Sequence, residues 1–229
     1  MYPPPYAPQD TRSLATQVSS VMKRVYIKMT LGLLVTAFIS MWASQSLFIA
    51  QNRWAVWGLL LVELGIVFGV SAGINKLSSP VASLLFYVFA VVNGLMLASI
   101  FIIYKEASIA KTFFITAGTF GAMSVYGFFT NRDLSRMGSL LFMALIGLII
   151  ASVVNMFMHS DTMSWIISFA GVLIFVGLTA WDTQQIKRLA QMSPEASNGR
   201  LATLGALTLY LDFINLFLYL LRFFGASRD

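Results

Sequence analysis

Seven long apolar runs divide the chain, at about 26–49, 54–75, 80–104, 109–129, 137–158, 163–185 and 202–224. Each is long enough to cross a hydrocarbon core of roughly 30 Å as a helix rising ~1.5 Å per residue. The polar gaps between them are Gln51–Arg53, Lys76–Ser79, Lys105–Glu106, Asn131–Arg136, His159–Asp161 and Ile186–Leu201. Such short connections make successive spans antiparallel. Pro80, after Ser78 and Ser79, suits the first turn of a helix, where its missing N–H is not needed. A membrane barrel would instead show ~10-residue segments of alternating polarity. The pattern therefore predicts an all-α integral membrane protein with seven transmembrane helices over residues 23–229. Residues 1–22 read differently. There Pro3, Pro4, Pro5 and Pro8 alternate with Tyr2 and Tyr6, which predicts a flexible cytosolic tail of polyproline character. No apolar stretch follows a basic start, so no cleavable signal peptide is expected. No internal repeat is evident.

Composition agrees: 58% of the 229 residues are hydrophobic and 10% are charged. A soluble domain runs near ~45–50% apolar and ~25% charged. The chain has no Cys, which removes thiolate nucleophiles, redox pairs and Cys-based zinc sites. Its one His, His159, lies in a polar gap and argues against a Ser-His-Asp triad. The net charge of +6 would suit nucleic acid, but the placement of the charges has another reading. With the N-terminus inside, ten basic residues lie on the inner side: Arg12, Lys23, Arg24, Lys28, Lys76, Arg132, Arg136, Lys187, Arg188 and Arg200. Five lie outside: Arg53, Lys105, Lys111, Arg222 and Arg228. The positive-inside rule then places the N-terminus in the cytosol and the C-terminus across the membrane. The excess charge is a topology signal, and no nucleic-acid partner is expected; the bilayer is. Trp54, Trp57 and Trp165 fall at outer span ends and Trp181 at an inner one, as interfacial anchors do.

Acids inside apolar runs are the sharpest feature. Asp10, Glu106, Asp133, Asp161, Glu195 and Asp229 sit in loops or tails, but Glu63, Asp182 and Asp212 lie within spans two, six and seven. Each costs ~2.5–3.5 kcal/mol at a helix centre unless it finds a partner, a proton or water. In span seven, Gly205, Thr208, Asp212, Asn215, Tyr219 and Arg222 are three and four residues apart and share one helix face. A polar stripe cannot face lipid, so the last helix is expected at the centre of the bundle. Ser168, Gly171, Thr179, Asp182 and Gln185 make a rougher stripe on span six. Gly65, Gly69 and Gly73 on span two form a small-residue seam suited to close packing, with Glu63 turned away from it. Glu63 lies roughly 13 Å from the outer face and Asp212 roughly 15 Å from the inner one, which brings both near the midplane. Asp182 falls near the inner end of its run, so a meeting with Asp212 requires span six to tilt or extend inward, or span seven to begin later.

Three segments carry a family resemblance. Tyr126-Gly-Phe-Phe-Thr130-Asn-Arg-Asp133-Leu134-Ser135-Arg-Met-Gly138, Gly177-Leu-Thr-Ala-Trp181-Asp182-Thr183-Gln184 and Gly205-Ala-Leu-Thr-Leu-Tyr210-Leu-Asp212-Phe-Ile-Asn215-Leu-Phe resemble, in this order, the signatures of the Bax inhibitor-1 family. Trp181 stands where the family usually has Tyr, and the chain is most similar to small bacterial members. The resemblance implies a seven-helix fold with the last helix central, in the bacterial inner membrane. It also implies a cytoprotective, pH-sensitive calcium leak in which Asp182 and Asp212 share a proton. Glu63 matches a span-two position where some members carry an acid. Some relatives associate an arginine near the inner end of span two with the aspartate pair, and here the nearest basic residue is Lys76.

The chemistry of such a gate is simple. Two carboxylates close together in low dielectric cannot both ionise cheaply, so a pair holds one proton as a hydrogen bond. Changing the proton count breaks that tie or replaces it with repulsion, which can shift a helix. The same oxygens suit Ca²⁺, with Asn215 and Thr208 as further ligands, but two or three carboxylates make a weak, transient site. Ca²⁺ and H⁺ are then cargo and signal, with no tightly bound cofactor and no enzymatic activity. An intramembrane aspartyl protease also pairs aspartates on successive helices, but its Gly-x-Gly-Asp is absent before Asp212 and no Pro-Ala-Leu occurs. A retinal protein needs a lysine in span seven, and the last one is Lys187. A proton-coupled exchanger would show repeats and broken helices. The main alternative is a regulator that binds another membrane protein, such as a membrane protease, through the tail before Lys23 and the segment 186–201.

Overall fold

The computed structural model describes residues 11–46, 53–73, 76–192 and 198–226. These form seven helices: α1 (Thr11–Ser44), α2 (Arg53–Gly73), α3 (Ser79–Ile103), α4 (Glu106–Phe129), α5 (Ser135–Met158), α6 (Asp161–Met192) and α7 (Asn198–Phe224). Among the described residues there is no β-sheet. Six helices, all but α2, are long and apolar enough to cross a membrane. The hydropathy pattern predicts seven spans. The remaining apolar run is α2, whose described apolar stretch, Trp57–Val70, is shorter.

Two helix ends differ from the hydropathy boundaries. The tail expected over residues 1–22 is shorter, because α1 is already helical from Thr11. Val18, Val21, Met22, Val25 and Met29, at the spacing of one helix face, turn one stripe of this segment into the core. The proline-rich residues 1–10 lie outside the described residues. Helix α6 likewise runs seven residues past the expected end at 185, with Ile186 and Ala190 buried. The two extensions meet, since Gln17 Nε2 donates to the Ala190 carbonyl at 3.0 Å.

Burial sorts the helices. In α7, sixteen of 27 residues are buried, and it packs against α1, α3, α4 and α6. In α5 only Gly138 and Leu148 are, and most of its remaining apolar surface is exposed. Helix α2 packs on α3. The glycine seam of α2 does not serve as expected: a Cβ added at Gly65 or Gly69 would meet nothing within 4 Å. Close backbone approach occurs elsewhere. Gly127 of α4 lies against the backbone of Ala180 in α6, and Gly94 of α3 against that of Thr36 in α1. Trp181 is not simply an interfacial anchor. It is half-buried, with its indole over Gly138, where no side chain stands in the way.

The C-terminal turns of α6 clamp the loop between α4 and α5. Gln184 Nε2 donates to the Arg132 carbonyl (2.8 Å), and its Oε1 accepts from Leu134 N (3.0 Å). Lys187 Nζ donates to the Phe128 carbonyl at 2.7 Å. Arg188 donates to Ser135 Oγ and pairs with Asp133, both at 2.8 Å. Hydrogen bonds from the Ser135 backbone and hydroxyl, then from Arg188, hold the Asp133 carboxyl at about 2, below its ordinary 3.8. A folded value below the unfolded one means that this contribution is complete above about pH 4 and lost as pH falls through about 2. Asp133→Asn is therefore expected to flatten part of the fall in melting temperature over that acid range. Superimposable curves for the variant and the wild type would show that the clamp adds nothing to acid stability.

Candidate functional site: a carboxyl pair between the last two helices

The extension of α6 removes the depth conflict between the two aspartates. Asp182 is now ten residues from the end of its helix and Asp212 fourteen from the start of its own. At ~1.5 Å per residue these are roughly 15 and 21 Å from those helix ends. Their carboxyl groups are within hydrogen-bonding reach of each other. Such a bond between two carboxyls needs a proton, since ionised carboxylates only accept. Asp212 is 4% exposed, and its Oδ2 is buried with no hydrogen-bond partner among the described residues. A buried polar atom in this state is rare, and a proton shared with Asp182 would satisfy it.

The other expected residues divide. Thr208 donates to the Leu204 carbonyl (3.1 Å) and Asn215 to that of Leu211 (2.8 Å), both on their own helix. This leaves oxygen lone pairs on the same face as Asp212. One turn further along α7 from Asn215, the Tyr219 ring stacks on Phe175 at 5.9 Å and lies against Gly171. Beyond it is a polar cavity of about 490 Å³ lined by Asp161, Ser164, Ser168 and Arg222, among others. Lys76 is exposed in the turn between α2 and α3. A different lysine is half-buried: Lys28 Nζ donates to Ser83 Oγ and Thr203 Oγ1, both at 2.5 Å.

Glu63 is engaged away from the pair. Its Oε1 accepts from Asn93 Nδ2 at 2.9 Å, and Tyr210 OH donates to Asn93 Oδ1 at 3.2 Å. Thr36 Oγ1 lies 2.5 Å from Tyr210 OH and donates to the Ala90 carbonyl at 2.9 Å. Tyr210 and Asp212 are two residues apart, about 200° around the helix. Helix α7 thus presents the carboxyl pair to α6 and a second polar network to α1 and α3. Sequence reading missed Asn93, Thr36 and the role of Tyr210, because a lone Asn, Thr or Tyr in an apolar run has many uses. Tyr210→Phe is expected to lower stability by about 1 kcal/mol, between the ~0.6 typical of interhelical bonds in membranes and the ~1–3 for stranding a buried partner. Equal melting temperatures for the variant and the wild type would show that Tyr210 adds no net stability.

A family model described as "Inhibitor of apoptosis-promoting Bax1" matches residues 18–229. The chain belongs to the Bax inhibitor-1 family. Its relatives include the inner membrane protein YbhL of Escherichia coli K12, 49% identical over 92% of this chain and 93% of the relative. A protein of Borreliella burgdorferi is 44% identical over 91% and 92%, and one of Deinococcus radiodurans 40% over 93% of each. Two of the three Bax inhibitor-1 signature segments supply the aspartates of the pair. The third is the clamped loop, which Gln184 and Arg188 tie to the helix that carries Asp182.

Proposed function

We propose that this Bax inhibitor-1 protein is a pH-sensitive calcium leak whose gate is the carboxyl pair Asp182 and Asp212. The placement of these two carboxyls within hydrogen-bonding reach, on different helices, carries the reading. One shared proton ties α6 to α7. Removing it leaves two buried anions in contact, and adding one leaves a neutral pair with no charge to hold a cation. In the deprotonated state the four carboxyl oxygens, with Asn215 and Thr208, offer a passing Ca²⁺ several hard ligands, too few for tight retention. The Tyr219–Phe175 stack separates this site from the polar cavity at the outer end, and Glu63 supports the path from the far side of α7. The bundle is read as seven spans around the last helix, supported by the burial of α7 on four neighbours. The excess of inner basic residues favours a cytosolic N-terminus and a C-terminus across the membrane. The name of the Escherichia coli relative favours the bacterial inner membrane. The test is calcium flux into dye-loaded proteoliposomes at several pH values, with Asp182→Asn and Asp212→Asn.

A second reading is a regulator that binds another membrane protein. It is favoured by the contact between Gln17 and Ala190, which joins the two segments expected to meet a partner. A flux-dead variant that keeps both a crosslinked partner and its cellular effect would select this reading.

A further inference from the structure

Helices α1 and α4 both pack on α7, and between them lies an open groove of about 650 Å³. Phe120 and Phe213, both buried, form its floor. Its α1 wall runs from Ser19 to Leu33, with Lys23 exposed near the Ser19 end. Fourteen residues of helix measure roughly 21 Å, about two-thirds of a ~30 Å hydrocarbon core. The groove is thus long, mostly apolar and cationic near one end. Its α4 wall holds Ser124, only 5% exposed, whose hydroxyl has no hydrogen-bond partner among the described residues.

We infer that this groove binds one anionic phospholipid, with an acyl chain along the groove and the headgroup phosphate at Lys23. The dimensions select a chain over a protein helix. A helix ~10 Å across would fill about 1,600 Å³ over the same length, well beyond the groove. The ammonium at the mouth selects a headgroup of net negative charge, because it attracts the phosphate of any phospholipid but repels the second cation of a zwitterionic one. The Ser124 hydroxyl donates to the glycerol-ester region or to a water beside it. The site does not depend on the carboxyl gate, which lies on the α6 side of α7.

Two glycines of α4 supply matched probes. A Cβ at Gly121, in the groove wall, meets nothing within 4 Å, and neither does one at Gly118, which lies outside the groove. Both positions therefore accept a leucine without collision, but only Gly121→Leu fills the groove. The experiment is native mass spectrometry of the delipidated full chain titrated with phosphatidylglycerol or phosphatidylcholine. The wild type is expected to retain one phosphatidylglycerol about fivefold better than phosphatidylcholine, the worth of one screened repulsion between the Lys23 ammonium and the choline cation. Lys23→Gln should bring the two lipids to near parity, Gly121→Leu should lose both, and Gly118→Leu should behave as wild type. Equal retention of the two lipids by the wild type overturns the proposal. So does unchanged retention in Gly121→Leu, or a change only in oligomeric state, which would assign the groove to a second copy. Should Gly121→Leu fail to fold, the Lys23→Gln comparison decides alone.

Discussion

Asp212→Asn is expected to abolish the pH dependence of calcium flux while keeping the helices tied. An asparagine at this position is a permanent donor: its amide replaces the shared proton and hydrogen-bonds to Asp182 at every pH. Asp212→Ala removes the tie at every pH. Both variants should therefore give flat pH profiles, at different levels, and the level of the asparagine variant identifies the conductance of the tied state. The contrast holds whichever protonation state is open. One titrating proton changes an occupancy ratio tenfold per pH unit, so the wild type should vary steeply where the variants stay within about twofold. Asp182→Asn is the reciprocal test, because the pair and not either residue is the titrating unit. A flux profile in Asp212→Asn that overlays the wild type would sink the gate. A nonzero flux that ignores all three substitutions would move the conduction path elsewhere.

Gly127→Leu is expected to be the most damaging single substitution outside the pair. A side chain at this position runs into the carbonyl and Cα of Ala180, which are backbone atoms of α6 and cannot rotate aside. Helix α4 would have to leave α6, and with it the clamp that Gln184, Lys187 and Arg188 place on the following loop. Gly127→Ala should destabilise by about 1–3 kcal/mol, the usual range for overpacking, and the leucine by more. Gly118→Leu on the same helix is the control, because nothing lies near it. The measurement is thermal unfolding in detergent. A Gly127→Ala protein that melts with the Gly118→Leu control would show that the two helices are not in backbone contact.

The contrast between these glycines illustrates how far the sequence reaches. A Gly-x-x-x-Gly spacing marks a surface that permits close approach, but not whether a neighbour arrives. In α2 the spaced glycines Gly65 and Gly69 face open space, while the unspaced Gly127 carries a backbone contact. Trp181 is a similar case. Its position near a span end reads as an interfacial anchor, and its indole instead covers Gly138 of another helix.

The sequence alone determined the helices, their order and the three acids that stand out of place. In hydrocarbon each backbone N–H and C=O must be satisfied within its own segment, so a long apolar run is a helix whatever its neighbours do. Helical spacing also sufficed to gather Thr208, Asp212 and Asn215 on one face. The tertiary structure alone decided where helices extend past the apolar runs. Thr11–Met22 and Ile186–Met192 are mixed segments whose stripes, Val18 to Met22 and Ile186 to Ala190, stabilise a helix only where they are buried in the folded bundle. It also decided partners. Asn93 lies 30 residues from Glu63 and 117 from Tyr210, separations at which no local period carries information. That same assembly is what lengthened α6 at its C-terminal end and set Asp182 beside Asp212.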